Sequence, residues 1–290
     1  MSDPAITVIA AGVNVGRTLA PWLDAMAGQV GSSRAEVLLA LTSVDAFVAE
    51  QLRSSPWAEV VDAAHARSVP ELWGAALSRA RGRIVAITTT ACRPSPDWID
   101  AVARAHAKPH AAIGGVIDLA AQATLVDRAI HFVRYAPYLP PVAEGPAAEI
   151  AADNGAYKLA ALVPLLPGLA REGFWEVEVH RALRANGHTI WLDPNMRVYH
   201  AAAYSIAGFS RQRFVHGRRF ARAARPRRSA GHRLLLVARA PLVPALMLGR
   251  IVRTLARRRR LDRHSVLALP LSAWFLVCWA AGEATGHIDG

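Results

Sequence analysis

The chain has 290 residues, 53% of them hydrophobic and 19% charged, with a formal net charge of +12 at pH 7. A mean hydropathy of +0.20 excludes an intrinsically disordered chain and is high for an ordinary soluble domain. The two cysteines, Cys92 and Cys278, lie far apart with no Cys/His cluster beside either, which argues against a disulfide scaffold and a structural zinc site.

Met1 to Pro4 is polar and the apolar run Ile6 to Ala11 is too short for a signal-peptide core, so the body of the chain is expected in the cytoplasm. Ile6 to Ala10 reads as a buried strand, and Gly16 to Gln29 as a helix with Leu19, Trp22, Leu23 and Met26 on one face. A second strand is expected over Glu36 to Leu41, a short helix over Ala46 to Arg53 and a third strand over Trp57 to Val61. Pro70 to Ala80 reads as a helix, Arg83 to Ile87 as a strand and Pro96 to His106 as a further helix. Strand and helix alternating at this spacing indicate a mostly parallel α/β sheet flanked by helices. Residues 113–170 are less regular: the Gly114-Gly115 pair reads as a bend, four prolines between 137 and 146 mark a loop, and Ala152 to Gly155 marks a turn. Gly173 to Asn186 is expected to be a helix closed by Gly187, although Trp175 to Val179 also alternates like a strand. Thr189 to Leu192 and Val198 to His200 are short strands.

Composition changes near residue 205. Residues 201–290 hold 17 of the arginines, no lysine and only Asp262, Glu283 and Asp289 as acids. Basic charge interleaved with apolar segments of helix length points to an anionic membrane surface rather than to nucleic acid. Leu234 to Leu248 would be about 22 Å long as a helix, against a hydrocarbon core of about 30 Å. It also contains Pro241, Pro244 and Arg239, and an arginine at mid-bilayer costs at least about 2.5 kcal/mol. This run is therefore expected to lie in the membrane interface, with both basic segments on the cytoplasmic face. Ser265 to Gly282 is long enough to span, and Pro270 also permits a second interfacial segment. The expected division is 1–205 as the α/β domain, 206–233 as an Arg-rich linker or helix, and 234–290 as an apolar membrane-associated region.

Several segments, in this order, resemble the inverting family 2 glycosyltransferases of GT-A fold. Ile6 to Gln29 is similar to that family's first strand, its turn at Asn14 and the next helix, and Glu36 to Asp45 to its second strand and base-binding end. Ala80 to Ala101 resembles the strand bearing the metal-binding Asp-x-Asp, Ala152 to Leu159 the acceptor-side turn, and Arg171 to His200 the helix of the catalytic base with the closing strand and histidine. The resemblance implies a GT-A-like domain, a nucleotide-sugar donor, a lipid-linked or polysaccharide hydroxyl acceptor and a divalent Mg or Mn ion. It departs at the donor side, where Thr89-Thr90-Ala91 replaces Asp-x-Asp and Leu41 to Val44 replaces the paired aspartates, with Asp45 the nearby acid. Hard cations take several oxygen ligands, usually anionic, and threonine hydroxyls substitute poorly.

On this resemblance Glu176 falls at the catalytic base, which must deprotonate the acceptor hydroxyl. Donor contacts fall at Asn14, Asp45, Thr89 and Arg93, and acceptor contacts at Asp153, Asn154 and Glu178. His200 occupies the place of a metal-contacting histidine. Each has a plainer reading: Glu176, Glu178 and His180 as the solvated face of an amphipathic helix, Asp153-Asn154-Gly155 as turn chemistry, and Arg93 as an exposed strand-end residue. Two functions stay open: a membrane-associated sugar transferase, or a catalytically silent GT-A-like protein that binds a glycan, a nucleotide or an enzyme partner.

Overall fold

A computed structural model describes residues 4–33, 35–63, 65–66, 68–202, 204–224 and 229–289; residues 225–228 of the Arg-rich segment lie outside the described residues. The chain forms two compact units, Met1–Ala120 with Tyr138–Ala203, and Ala121–Pro137 with Tyr204–Gly290.

The first unit is built on strands β1 (Ile6–Gly12), β2 (Glu36–Leu41), β3 (Ala58–Val61), β4 (Ile84–Thr89), β5 (Cys92–Pro94), β6 (Ala112–Leu119), β7 (Gly145–Pro146), β8 (Asn154–Lys158) and β9 (Ile190–His200). Their order is β3-β2-β1-β4-β8-β6-β9-β5, with β7 paired to β9. β1, β2, β3 and β4 are mutually parallel, β6 and β9 are parallel to each other, and β8 enters antiparallel between β4 and β6. Helices α1 (Leu19–Ser33), α2 (Ala46–Arg53), α3 (Val69–Leu77) and α4 (Trp98–Ala105) supply the crossovers that parallel pairing needs. Because both faces are covered, β1 is buried at every position. Its alternate residues Ile9 and Ala11 join Leu38, Ala40, Val85 and Ile87 in one core with Leu72, Trp73 and Leu77 of α3.

The irregular middle of the sequence contains more structure than its composition suggests. Gly114 and Gly115 lie inside the buried strand β6, at a register shift, rather than at a bend. A β-carbon on Gly114 would overlap Ile150, and one on Gly115 would overlap the Met196 carbonyl and the Asn154 amide. Close approach of neighbouring chain, not turning, requires these glycines. After β8 come the short helices α6 (Leu159–Leu162) and α7 (Leu166–Glu172), then α8 (Glu176–Ala185). Helix wins over strand for Trp175 to Val179, and Gly187 takes the left-handed φ of +78° expected of the residue that stops α8.

The second unit is helical among its described residues. It contains α5 (Leu125–Tyr135), opened by a capping box between Thr124 and Asp127, then α9 (Ile206–Ala224), α10 (Ala230–Arg239), α11 (Val243–Arg257) and α12 (Arg263–Ile288). Gly231–Arg257 and Arg263–Ile288 are each long and apolar enough to cross a membrane by length and composition.

Both units bury neutral histidines. Desolvation, first, lowers His106 in the sheet unit to about 4, with Lys158 and His110 adding to it against the raising effect of the Ala156 backbone carbonyl. In the helical unit it lowers His131 to about 3, reinforced by Arg128, Arg134 and Arg260, and His216 to about 3, reinforced by Arg213, Arg134 and Arg219. The unfolded chain takes up these protons near pH 6.5 and the folded chain does not. The stability they confer is therefore complete above about pH 6.5 and falls as pH drops toward 4, by about 1.4 kcal/mol per pH unit for each histidine. The urea midpoint at pH 5.0 should lie well below that at pH 7.5; equal midpoints would contradict the burial of these rings in neutral form.

Candidate active site

The parallel strands β1, β2 and β4 end together, which places the candidate site at the carboxyl edge of the sheet. There the chain turns sharply. Asn14 adopts the left-handed conformation (φ 56°, ψ 52°) that asparagine tolerates, opening a 3-10 turn over Val15–Arg17. A β-carbon on Gly12 would overlap Val15 and Leu41, so the turn closes only over glycine. The hydroxyls of Thr18 and Thr90 meet at 3.0 Å beneath it. The Asp45 carboxylate caps α2, accepting the Val48 N–H at 2.8 Å.

Strand β8 brings Asp153 and Asn154 against this edge. Its register sets Asn154 opposite Thr88, and the Thr89 hydroxyl approaches the buried Asp153 carboxylate at 3.5 Å. One residue back, the Ala152 N–H donates to Glu176 Oε2 at 2.8 Å. Thr89, Asp153 and Glu176, distant in sequence, are thereby gathered at one place. Glu176 stands in the first turn of α8, where carboxylates are favoured by the helix dipole.

Behind Glu176 lies a polar chain, centred on a buried histidine, that sequence reasoning did not identify. His180, fully buried, bonds Glu149 through Nδ1 (2.5 Å) and the Tyr157 hydroxyl through Nε2 (3.0 Å). Arg184 bonds the other Glu149 oxygen at 3.1 Å. Burial lowers the His180 pKa against the raising effect of Glu149. Burial also pushes the hydroxyls of Tyr138 and Tyr157 up from their ordinary range, and the charges of Glu176, Glu149 and Asp153 push them further. Both tyrosines therefore remain protonated donors. The available signal in the sequence was spacing: Glu176 and His180 are four apart and share the inward face of α8.

Other sequence-derived residues are placed differently. Asn154 is fully buried and its amide is fully engaged: it accepts from Trp98 Nε1 at 2.8 Å and donates to the carbonyls of Val116 (2.9 Å) and Met196 (3.0 Å). It clasps α4, β6 and β9 rather than facing an acceptor. Glu178 points to solvent and pairs with Arg181 at 2.6 Å, as an amphipathic helix surface would. Arg93 sits on the edge strand β5, its guanidinium 5.7 Å from the Tyr199 ring centroid. His200 is buried at the end of β9, paired in register with Cys92.

The residues at the edge do not fit a divalent cation. Thr90 is engaged with Thr18, Ala91 offers no ligand, and the Asp153 carboxylate approaches Thr89 only at 3.5 Å. Among the described residues no group of three His, Cys, Asp or Glu side chains converges, His200 included.

A mannosyltransferase from Pyrobaculum calidifontis, PcManGT, solved in complex with GDP-Man and Mn2+, aligns over 98% of this chain and 88% of its own, at 16% identity and a TM-score of 0.59. The fold is GT-A-like. A mycobacterial protein aligns over 74% of this chain and 73% of its own at 12% identity, with a TM-score of 0.50. No family model matches the sequence, and no curated protein does. At these identities the likeness establishes the architecture, and the chemistry must be argued from the side chains.

Proposed function

We propose that the chain is a membrane-associated inverting glycosyltransferase. It would move a sugar from a nucleotide-sugar donor to the hydroxyl of a lipid-linked or polysaccharide acceptor at the cytoplasmic face of the cell membrane. The observation that carries this reading is the position of Glu176, fixed by the Ala152 N–H beside Asp153 at the strand edge of a GT-A-like sheet. In the reaction, Glu176 accepts the acceptor's hydroxyl proton as that oxygen attacks the anomeric carbon. The bond to the nucleoside diphosphate breaks on the opposite face, which inverts the configuration. The Ala152 N–H and the helix end hold the carboxylate in place before the acceptor arrives.

Because the donor-side residues do not fit a metal, no step is assigned to one. Transfer and donor hydrolysis measured over a panel of nucleotide sugars, with Mn2+ and with EDTA, test the reading. Activity with at least one donor, unchanged by EDTA, is expected. Calorimetry showing no binding of any nucleotide sugar would remove the enzyme reading and leave the silent glycan- or partner-binding alternative, which the loss of Asp-x-Asp favours.

A further inference from the structure

The helical unit carries a more specific statement about the membrane than its hydropathy does. α12 passes the length and composition test for a span, yet two charged helices pack against it. Along its second half it packs on α9. Phe209 meets Phe275 edge to face at 4.7 Å, and β-carbons on Gly217, Gly282 and Gly286 would overlap the backbones of Trp279, Phe214 and Arg218 respectively. Residue numbers rise together along this contact, so α9 and α12 run parallel, backbone against backbone, through small residues. α9 carries Arg211, Arg213, Arg218, Arg219 and Arg222. Along its first half α12 packs on α5, whose Ala129 carbonyl accepts from Ser272 and whose length includes Asp127, Arg128 and Arg134. A spanning α12 would carry both charged helices into hydrocarbon, where such groups are rare and expensive.

What α12 leaves uncovered after Arg263 and His264 is an apolar stripe: Val266 and Leu267, then Pro270, Trp274, Val277, Ala281 and Ile288 at spacings of three, four or seven residues. α10, the 3-10 turn over Ala240–Leu242 and α11 form one continuous helical stretch, Gly231–Arg257, that exposes Leu234, Leu235, Leu242 and Leu246 with Arg239 among them. The exposed line from Leu242 and Leu246 continues down α11 as Arg250, Arg253 and Arg257. The acids of the unit's C-terminal part are engaged within it: Asp262 caps α12, Asp289 pairs with Arg218 and Arg222, and Glu283 lies 4.0 Å from His287.

We propose that this unit is a monotopic platform for an anionic lipid surface, in which neither apolar helix spans. The exposed leucines of the α10–α11 stretch enter the headgroup and acyl boundary, the α12 stripe lies along the interface, and Arg239, with the arginines that follow on α11, meets lipid phosphates. This deepens the membrane side of the function proposed above, and it stands or falls separately from catalysis.

The test uses the full-length chain. In flotation with phosphatidylcholine vesicles, binding is expected when phosphatidylglycerol is included and absent when it is not. Bound protein should be released by alkaline carbonate, which leaves spanning helices in place. The double variant Leu242→Glu/Leu246→Glu, at two exposed positions that do not threaten folding, should weaken flotation by about tenfold or more. Arg250→Gln/Arg253→Gln should weaken it selectively on the anionic vesicles. Retention after carbonate would overturn the monotopic geometry, and failure to float on either vesicle would overturn the lipid partner. Nucleotide-sugar binding by the Leu242→Glu/Leu246→Glu variant, read by calorimetry, separates this proposal from the enzymatic one: lost flotation with intact donor binding leaves catalysis untouched.

Discussion

Glu176→Gln should reduce sugar transfer by about 10²- to 10⁴-fold, the range by which a positioned general base accelerates proton transfer, while leaving nucleotide-sugar binding unchanged. The argument is one of elimination within the buried cluster. Tyr138 and Tyr157 are held protonated by burial and by the surrounding carboxylates, so neither can accept a proton. His180 has both ring nitrogens engaged, with Glu149 and with Tyr157. Glu149 is bound between His180 and Arg184. Glutamine preserves the shape of Glu176 and can still accept the Ala152 N–H, so stability should change little. Glu178→Gln, on the solvent face beside Arg181, is the control and should remain within about twofold of the parent, since surface pairs contribute little. The readout is kcat on whichever donor the panel identifies. A Glu176→Gln enzyme with parental kcat would move the base elsewhere, with Asp153 the next carboxylate to replace.

How much of this was legible in the sequence depends on whether a feature is local. The first half of the sheet was readable because Ile6 to Ala10, Glu36 to Leu41 and Arg83 to Ile87 are short, largely apolar runs separated by amphipathic helices, and a strand covered on both faces looks that way. Gly187 was readable as the left-handed stop of α8 for steric reasons internal to the turn, whereas Asn14 was legible only as the turn that the family resemblance implies. β6 was not, because Gly114-Gly115 has the same local signature whether the chain bends or whether Ile150 and Met196 approach it closely, and the deciding atoms lie far along the chain. α5 was not legible: its capping signal, Thr124 and Asp127, lies in the irregular stretch that precedes the prolines at 137 to 146. At the site, Glu176, Glu178 and His180 read alike as a solvated helix face, whereas the structure buries His180 and bonds Glu176 to Ala152, which depends on β8 inserting antiparallel into the sheet. The spanning length of α12 could be counted from the sequence, but not that two charged helices would flank it.

Asn154→Ala should destabilise the sheet unit by about 3 to 5 kcal/mol, a large share of the 5 to 15 kcal/mol by which typical domains are stable. The side chain is fully buried and satisfies three groups at once: the indole N–H of Trp98 and the carbonyls of Val116 and Met196. Truncation leaves all three buried without this partner, at about 1 to 3 kcal/mol for each group that finds no replacement, and adds a small cavity. Asn154→Asp should be no better, because a second oxygen would replace the amide nitrogen between two carbonyl oxygens. The fit is reciprocal, since the absent β-carbon of Gly115 makes room for that same nitrogen, and Gly115→Ala should be damaging as well. Urea unfolding at pH 7.5, with the histidines neutral in both states, measures the effect cleanly. The comparison with transfer kinetics then decides between two roles for the residue. A clasp loses stability in proportion to its unsatisfied partners, and acceptor KM in the surviving folded protein is little changed. A residue that touches the acceptor would show the reverse, raised KM with stability lowered by less than about 1 kcal/mol, and that outcome would return Asn154 to the acceptor side that its position after Asp153 first suggested.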